Sequence, residues 1–120
     1  MTLADAHAAV AWVLIVSNGL VGLWVVSAHW LASARSPLMW WAVGVAWVIV
    51  FVEVLLGVAV QRVNGVSAPA LHALYGFSAL IAVGIVYSYA KQMPDRRYLL
   101  YGLGSLFIMG LGIREMFLHG

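Results

Sequence analysis

The chain has 120 residues, of which 65% are hydrophobic and only 8% are charged, and its formal net charge is +2. A soluble domain of this size needs far more charge to cover its surface, so this composition excludes that class and predicts an integral membrane protein. Six basic residues are too few for a nucleic-acid-binding surface, and the lack of cysteine excludes disulfides, cysteine metal sites and covalent c-type haem.

Four apolar segments are long enough to cross a membrane, which takes about 20 residues for about 30 Å of hydrocarbon. We predict spans over residues 7–31, 38–61, 69–90 and 98–117 of a single domain that comprises residues 1–120. Pro69 is expected in the first turn of the third helix, where proline is tolerated. Because the connections are short, neighbouring helices should be antiparallel. The predicted fold is therefore all-α, a four-helix transmembrane bundle with up-down-up-down topology.

Charged residues predict how the bundle lies in the membrane. The first apolar segment does not resemble a cleavable signal peptide, because its polar start contains Asp5 and His7 and the first basic residue, Arg35, follows it. Short cytoplasmic loops carry an excess of lysine and arginine. One end of the bundle has Arg35, Lys91, Arg96 and Arg97, and the other has Arg62 and Arg114. We therefore expect both termini on the outer side of a bacterial plasma membrane.

Aromatic and polar residues refine this picture. An aromatic belt at the inner interface is predicted from Trp30, Trp40, Trp41, Tyr87, Tyr89 and Tyr98. His7, Asn18 and His29 fall on one face of the first helix, and Asn18 would lack partners in lipid. This face should therefore point into the bundle, where we expect Asn18 to make an interhelical hydrogen bond worth about 0.6 kcal/mol.

Two histidines are the candidate ligands of a cofactor. His7 and His72 should lie at equal depth near the outer ends of parallel helices, which is the placement that a haem with two axial histidines requires. Gly76, Ala79 and Val83 leave room beside His72 for a flat ligand or for a close neighbouring helix. The alternative is that both histidines simply lie among lipid headgroups.

The segment Leu71-His72-Ala73-Leu74-Tyr75-Gly76 resembles the histidine helices of transmembrane b-type cytochromes and haem A synthases. This resemblance implies haem b between paired histidines in a four-helix bundle, and a role in electron transfer. Only His29 is available at the inner side, so the resemblance implies one haem, near the outer face. Arg62 or Arg114 would then pair with its propionates, because guanidinium binds planar carboxylates well.

Glu53 has the highest free-energy cost of membrane insertion among the residues of the predicted spans. Insertion scales place the cost of an acidic residue at a helix centre at about 2.5–3.5 kcal/mol, so intramembrane carboxylates are functional candidates. Glu53 is expected either to accept a hydrogen bond from His7 or His72 and orient that imidazole, or to couple proton movement in a transporter. The alternative is a neutral side chain that hydrogen-bonds a neighbouring helix.

Other ligands and functions remain open. His7, His72 and His119 with Glu53 or Glu115 would suit zinc or copper, although Arg114 opposes a cation there. The leading prediction is a small b-type haem protein or electron-transfer subunit. The competing predictions are a non-catalytic membrane subunit or oligomeric scaffold, and a small proton-coupled transporter that uses Glu53. The expected partners are the lipid bilayer and either further copies of the chain or a larger membrane complex.

Overall fold

Four long α-helices make up most of the described part of the chain. The computed structural model describes residues 2–65 and 70–119, with side chains for residues 2–65 and 73–116. The helices are α1 (Leu3–Trp30), α2 (Pro37–Asn64), α3 (Ala70–Gln92) and α4 (Arg97–His119). Short 3-10 turns, Ala32–Ala34 and Pro94–Arg96, precede α2 and α4. The predicted all-α fold is confirmed, and four helices are long and apolar enough to cross a membrane.

Capping residues set where the first two helices begin and end. Thr2 and Asp5 form a reciprocal capping box, which satisfies backbone N–H groups and starts α1 earlier than the predicted residue 7. Ser36 caps α2 through its hydroxyl, which accepts from the Met39 N–H at 3.3 Å, and Pro37 occupies the first turn. At the other end, Gly65 adopts a left-handed φ of 67°, which favours glycine, and ends α2. The predicted position of Pro69 lies outside the described residues.

Arg35 donates hydrogen bonds to two carbonyl groups in the last turn of α1. Its Nε–H donates to the Ala28 carbonyl at 2.7 Å, and its Nη2 donates to the His29 carbonyl at 3.0 Å. These bonds replace the partners that the last turn of a helix lacks, and a cation at this position also complements the helix dipole. These hydrogen bonds therefore connect the segment between α1 and α2 to the end of α1.

Small residues bring α1 and α4 into close contact. A Cβ atom at Gly102 would lie 2.6 Å from the backbone nitrogen of Val26, and one at Gly22 would lie 2.8 Å from the Leu106 side chain. Farther along, Gly112 of α4 approaches Ile15 of α1. The residue numbers rise along α1 as they fall along α4, so these two helices are antiparallel. Backbone approach of this kind is the usual way in which membrane helices associate.

Stripes of α1 and α2 form most of the core, and α3 and α4 add buried Ala79, Val86 and Ile108. The stripe of α1 consists of buried Leu14, Asn18, Val21, Val25 and Ala28, and that of α2 of buried Met39, Val43, Ala46 and Val50. Large apolar side chains on the remaining faces are exposed, among them Leu20, Leu55, Phe77 and Phe107. Exposed apolar side chains on every helix are what a lipid-facing surface requires.

The third helix completes the bundle but leaves it open on one side. Val86 of α3 packs against Gly104 of α4, whereas α2 and α3 touch each other little. We call the end of the bundle near Leu3 and Asn64 the terminal end. The opposite end, which contains residues 31–36 and 91–97, is called the basic end. The gap between α2 and α3 widens into a cavity at the terminal end.

Candidate functional site

A cavity of about 550 Å³ lies in the terminal half of the bundle, between all four helices. Its volume falls within the range of roughly 300–1,000 Å³ that is typical of small-molecule sites. Most of its wall is apolar, and the polar side chains in the described part of the wall are His7, Gln61, Tyr75, Glu53 and Glu115. A mainly apolar cavity with a few convergent polar groups is the usual form of a ligand site.

His7 and Glu53 meet at the wall of this cavity. The Nδ1 atom of His7 lies 2.9 Å from Oε1 of Glu53, and the side chains are 23% and 12% exposed, respectively. His7 lies in the second turn of α1, and Glu53 lies in the second half of α2. These parts of the two helices therefore lie side by side. The predicted contact of Glu53 with an imidazole is therefore present, and its partner is His7.

A glycine one turn after Glu53 makes room for the imidazole. A Cβ atom at Gly57 would lie 3.2 Å from Cε1 of His7, which is closer than side chains ordinarily pack. The His7 ring thus lies against the backbone of α2 while its Nδ1 atom contacts Glu53. In the sequence, the signal for this contact is a small residue one turn after an acidic residue within a span.

Small residues form part of the α3 wall of the cavity. Ala73, Gly76 and Ala79 line it, and a Cβ atom at Gly76 would meet nothing within 4 Å. Gly76 and Ala79 therefore leave space at this wall, and the predicted fit beside His72 stays a prediction. Tyr75 and Phe77 add aromatic surface on either side of Gly76. The contribution of Tyr75 and of Gln61 was not predicted, because helix rotation decides which polar groups of a span face a cavity.

The other predicted ligands and charge partners are His72, His119, Arg62 and Arg114. The side chains of His72 and His119 lie outside the described residues, so the predicted pairing of His7 with His72 stays a prediction. Ala73, which follows His72, does line the cavity. Arg62 and Arg114 are exposed and follow or precede the wall residues Gln61 and Glu115. Both guanidinium groups therefore belong to the rim of the terminal end and not to the wall of the cavity.

Polar groups in the middle of the bundle serve packing. Asn18 is fully buried, and its amide donates to the carbonyl groups of Leu14 at 3.0 Å and of Ala46, on α2, at 3.4 Å. This confirms the predicted interhelical hydrogen bond. Trp47 donates through its indole N–H to the buried hydroxyl of Ser105 at 3.0 Å and so connects α2 with α4.

The aromatic residues of the basic end divide into two groups. Trp30 and Trp41 are 69% and 75% exposed, and Tyr87 and Tyr89 are also exposed, as expected for an interfacial belt. Trp40 and Tyr98 differ from that prediction. Their rings pack against each other with centroids 5.5 Å apart, and Trp40 also contacts Tyr101 at 5.2 Å. Their rings span the space between α2 and α4, so both side chains face a neighbouring helix.

Neither a metal centre nor a known relative identifies the cavity in the described part of the chain. Among the side chains of residues 2–65 and 73–116, no group of three histidine or acidic residues is arranged to hold a metal ion. Comparison with protein-family models, with curated proteins and with solved structures gives no match. The function therefore has to be argued from the geometry of the cavity.

Proposed function

We propose that the chain is an integral protein of a bacterial plasma membrane, with up-down-up-down helices and both termini outside. Opposite residue order along α1 and α4, and the contact of His7 with Glu53, support the alternation of helix direction. The concentration of basic residues at the basic end supports its placement at the cytoplasmic side. The cavity would then open near the outer leaflet.

The function that this cavity supports best is that of a small b-type haem protein or electron-transfer subunit. The observation that carries this proposal is an imidazole at the wall of an apolar cavity, held through Nδ1 by a carboxylate. Metal-ligating histidines are typically held in this manner, because the second nitrogen of the ring is then oriented toward the metal. His7 is accordingly one proposed axial ligand, and His72 of α3 is the other.

The remaining residues have proposed roles around the porphyrin. Glu53 would fix the tautomer and orientation of His7 without touching the iron. Arg62 and Arg114 are exposed at the terminal rim, where haem propionates would reach water, and either guanidinium would bind a propionate in a bidentate manner. Bound haem b would supply reversible one-electron chemistry, with a potential that depends on the axial ligands and on burial. The apolar wall would exclude water from the macrocycle.

An absorption spectrum of the protein purified from haem-replete cells tests this proposal directly. We expect a Soret band that shifts on reduction with dithionite. Replacement of either proposed ligand, by His7→Ala or by His72→Ala, should abolish the pigment, whereas His29→Ala should leave it unchanged. A colourless preparation rejects the haem, and pigment that survives either single replacement rejects the ligand pair.

A small proton-coupled transporter is the second candidate, and the carboxylates of the cavity favour it. Glu53 and Glu115 both line the cavity, whereas the described part of the wall contains no lysine or arginine. Intramembrane acidic groups that face a cavity are typical of proton-coupled transport. On this proposal Glu53 takes up and releases the proton and His7 modulates that step. Glu53→Gln should then abolish transport driven by a pH gradient in vesicles, while the folded protein remains intact.

A non-catalytic subunit or an oligomeric scaffold is favoured by a different set of residues. Gly44, Gly84 and Gly110 are exposed, and a Cβ atom at any of them would meet nothing within 4 Å. Such positions permit close approach of a helix from another copy or from another membrane subunit. Replacement of all three glycines by leucine should then lower the oligomeric mass of the purified protein, and an unchanged mass contradicts this role.

A further inference from the structure

The basic end contains a cluster of side chains that the proposed function does not use. Two guanidinium groups approach one aromatic ring: Cζ of Arg35 lies 4.6 Å from the centroid of Tyr98, and Cζ of Arg97 lies 5.0 Å from it. The Arg97 guanidinium also lies 6.0 Å from the ring centroid of Trp40. We call these four residues the Tyr98 cluster. It joins the connection before α2 to the first residue of α4.

Both arginines of the Tyr98 cluster are held in place and retain free donors. A guanidinium has five N–H groups. Arg35 uses two of its nitrogens for the carbonyl groups that end α1, and Arg97 donates through Nη2 to the Tyr98 hydroxyl at 3.2 Å. Both residues are exposed. Their remaining N–H groups are therefore available to an anion that approaches from outside the bundle.

The charge at this end is not balanced by the protein. Lys91, Arg96 and the two cluster arginines are accompanied by a single acidic residue, Asp95, in the two connections of the basic end. Within the part of the chain whose side chains are described, Asp95 forms no ion pair with any of them. Two like charges beside one ring repel each other, and an anion between them would remove this repulsion.

The aromatic residues place the cluster at the depth of lipid headgroups. Exposed Trp30 and Trp41 flank the same end of the bundle, and tryptophan concentrates at membrane interfaces. The first turn of α4 adds the positive end of a helix dipole at Arg97. We propose that the Tyr98 cluster binds the phosphate group of an anionic phospholipid, with Arg35 and Arg97 as the two cationic contacts. Basic recesses between membrane helices bind anionic headgroups by this chemistry.

This inference is independent of the haem and of transport, and binding of defined lipids to the purified protein tests it. Phosphatidylglycerol or phosphatidylcholine is added to the protein in detergent, and retained lipid is counted by native mass spectrometry. We expect one phosphatidylglycerol to be retained in preference to phosphatidylcholine. Arg97→Gln should weaken this retention at least roughly tenfold, since hydrogen bonds to charged groups are among the strongest.

Arg96→Gln is the matched control, because it removes the same charge from the adjacent exposed position outside the cluster. It should leave retention within about twofold of the unmodified protein, as expected for a charge screened by water. Equal loss in Arg96→Gln and Arg97→Gln overturns the proposal, since it indicates general attraction to a basic surface. Equal retention of the two lipids overturns it as well.

Two further measurements keep the result interpretable. Arg97→Lys retains the charge but loses the planar fork, so its retention should fall between those of the unmodified protein and Arg97→Gln. The circular dichroism spectra of Arg97→Gln and Arg97→Lys should both match that of the unmodified protein, which separates a binding defect from misfolding. Inorganic phosphate is the competing source of the same chemistry. Failure of millimolar phosphate to displace phosphatidylglycerol supports a lipid site, whereas full displacement assigns the cluster to soluble phosphate and overturns the lipid assignment.

Discussion

The His7–Glu53 contact is the feature on which the site at the terminal end depends, and its coupling energy can be measured. Both side chains are less than one quarter exposed, so water weakens their interaction only in part. A double-mutant cycle with His7→Ala and Glu53→Ala, read as the free energy of unfolding in detergent, should give a coupling of about 1–2 kcal/mol. This exceeds the average for hydrogen bonds between membrane helices because a carboxylate takes part.

A second cycle provides the control for this measurement. Gln61 lines the same cavity on α2, about two turns after Glu53. His7→Ala combined with Gln61→Ala should be additive within about 0.5 kcal/mol. Equal coupling in the two cycles would mean that the truncations rearrange the cavity as a whole, and the specific contact would then have no energetic support.

For Asn18 we expect only a small contribution to stability, although its side chain is buried more completely than those of His7 and Glu53. Its amide group donates to two carbonyl groups, but its Oδ1 atom has no hydrogen-bond partner within the described part of the chain. Asn18→Leu removes a weak bond together with an unsatisfied acceptor. It should therefore change the free energy of unfolding by less than about 1 kcal/mol.

Asn18→Asp tests the same environment in the other direction. A carboxylate at this fully buried position should destabilise the bundle by about 2.5 kcal/mol or more. Chemical unfolding of both variants in the same detergent gives the comparison. A large loss in Asn18→Leu would show that the amide holds α1 and α2 together more strongly than membrane hydrogen bonds generally do.

At the scale of the helices, the α1–α4 contact is the most sensitive to added volume. Gly102→Ala places a methyl group against the backbone of Val26, which cannot rotate away, so the two helices must separate. The expected cost is about 1–3 kcal/mol. Gly110→Ala on the same helix enters open space and should be neutral or stabilising by up to about 1 kcal/mol. Thermal unfolding of the two variants distinguishes them, and equal midpoints would contradict the close approach.

The helices themselves were predictable from the sequence, whereas their ends and their pairing were less so. The length of each apolar run gives the number of spans, because hydrocarbon thickness fixes the minimum length. The Thr2–Asp5 box starts α1 in a polar segment that a hydropathy argument leaves out. The packing of Gly102 on Val26 was not predictable, since lipid is as apolar as the bundle interior and the pattern of hydrophobic residues does not mark the buried face.

The site was predictable only in part, because counting residues gives the depth of a side chain along a helix but not the rotation of that helix. Counting residues from the span ends places His7, His72 and Glu53 in the same half of the bundle, and this arithmetic gave two possible partners for the carboxylate. The rotation of α1 brings His7 to the carboxylate, and it depends on packing against Gly57, which is a tertiary contact. Tyr75 and Gln61 line the cavity by the same kind of rotation, so no residue pattern indicated them.

At the scale of the whole molecule, the unequal charge of the two ends determines the orientation that we propose. The chain contains no cysteine, so a single introduced thiol reports its own side of the membrane. Thr2→Cys lies beside the start of α1 at the terminal end, and Ser33→Cys lies in the first connection at the basic end, and both positions are exposed. In intact cells a membrane-impermeant maleimide should label Thr2→Cys only, because Ser33→Cys would face the cytoplasm.

Permeabilisation of the same cells should make Ser33→Cys reactive, and the cysteine-free chain should remain unlabelled throughout. Labelling of Ser33→Cys alone in intact cells would invert the proposed orientation and place the cavity at the cytoplasmic side. Labelling of both positions would mean that the chain inserts in two directions. In that case the basic residues at the terminal end, Arg62 and Arg114, offset those at the basic end more strongly than their number suggests. Neutralising Arg62 and Arg114 with glutamine should then restore the single orientation, since the charge difference between the ends would increase.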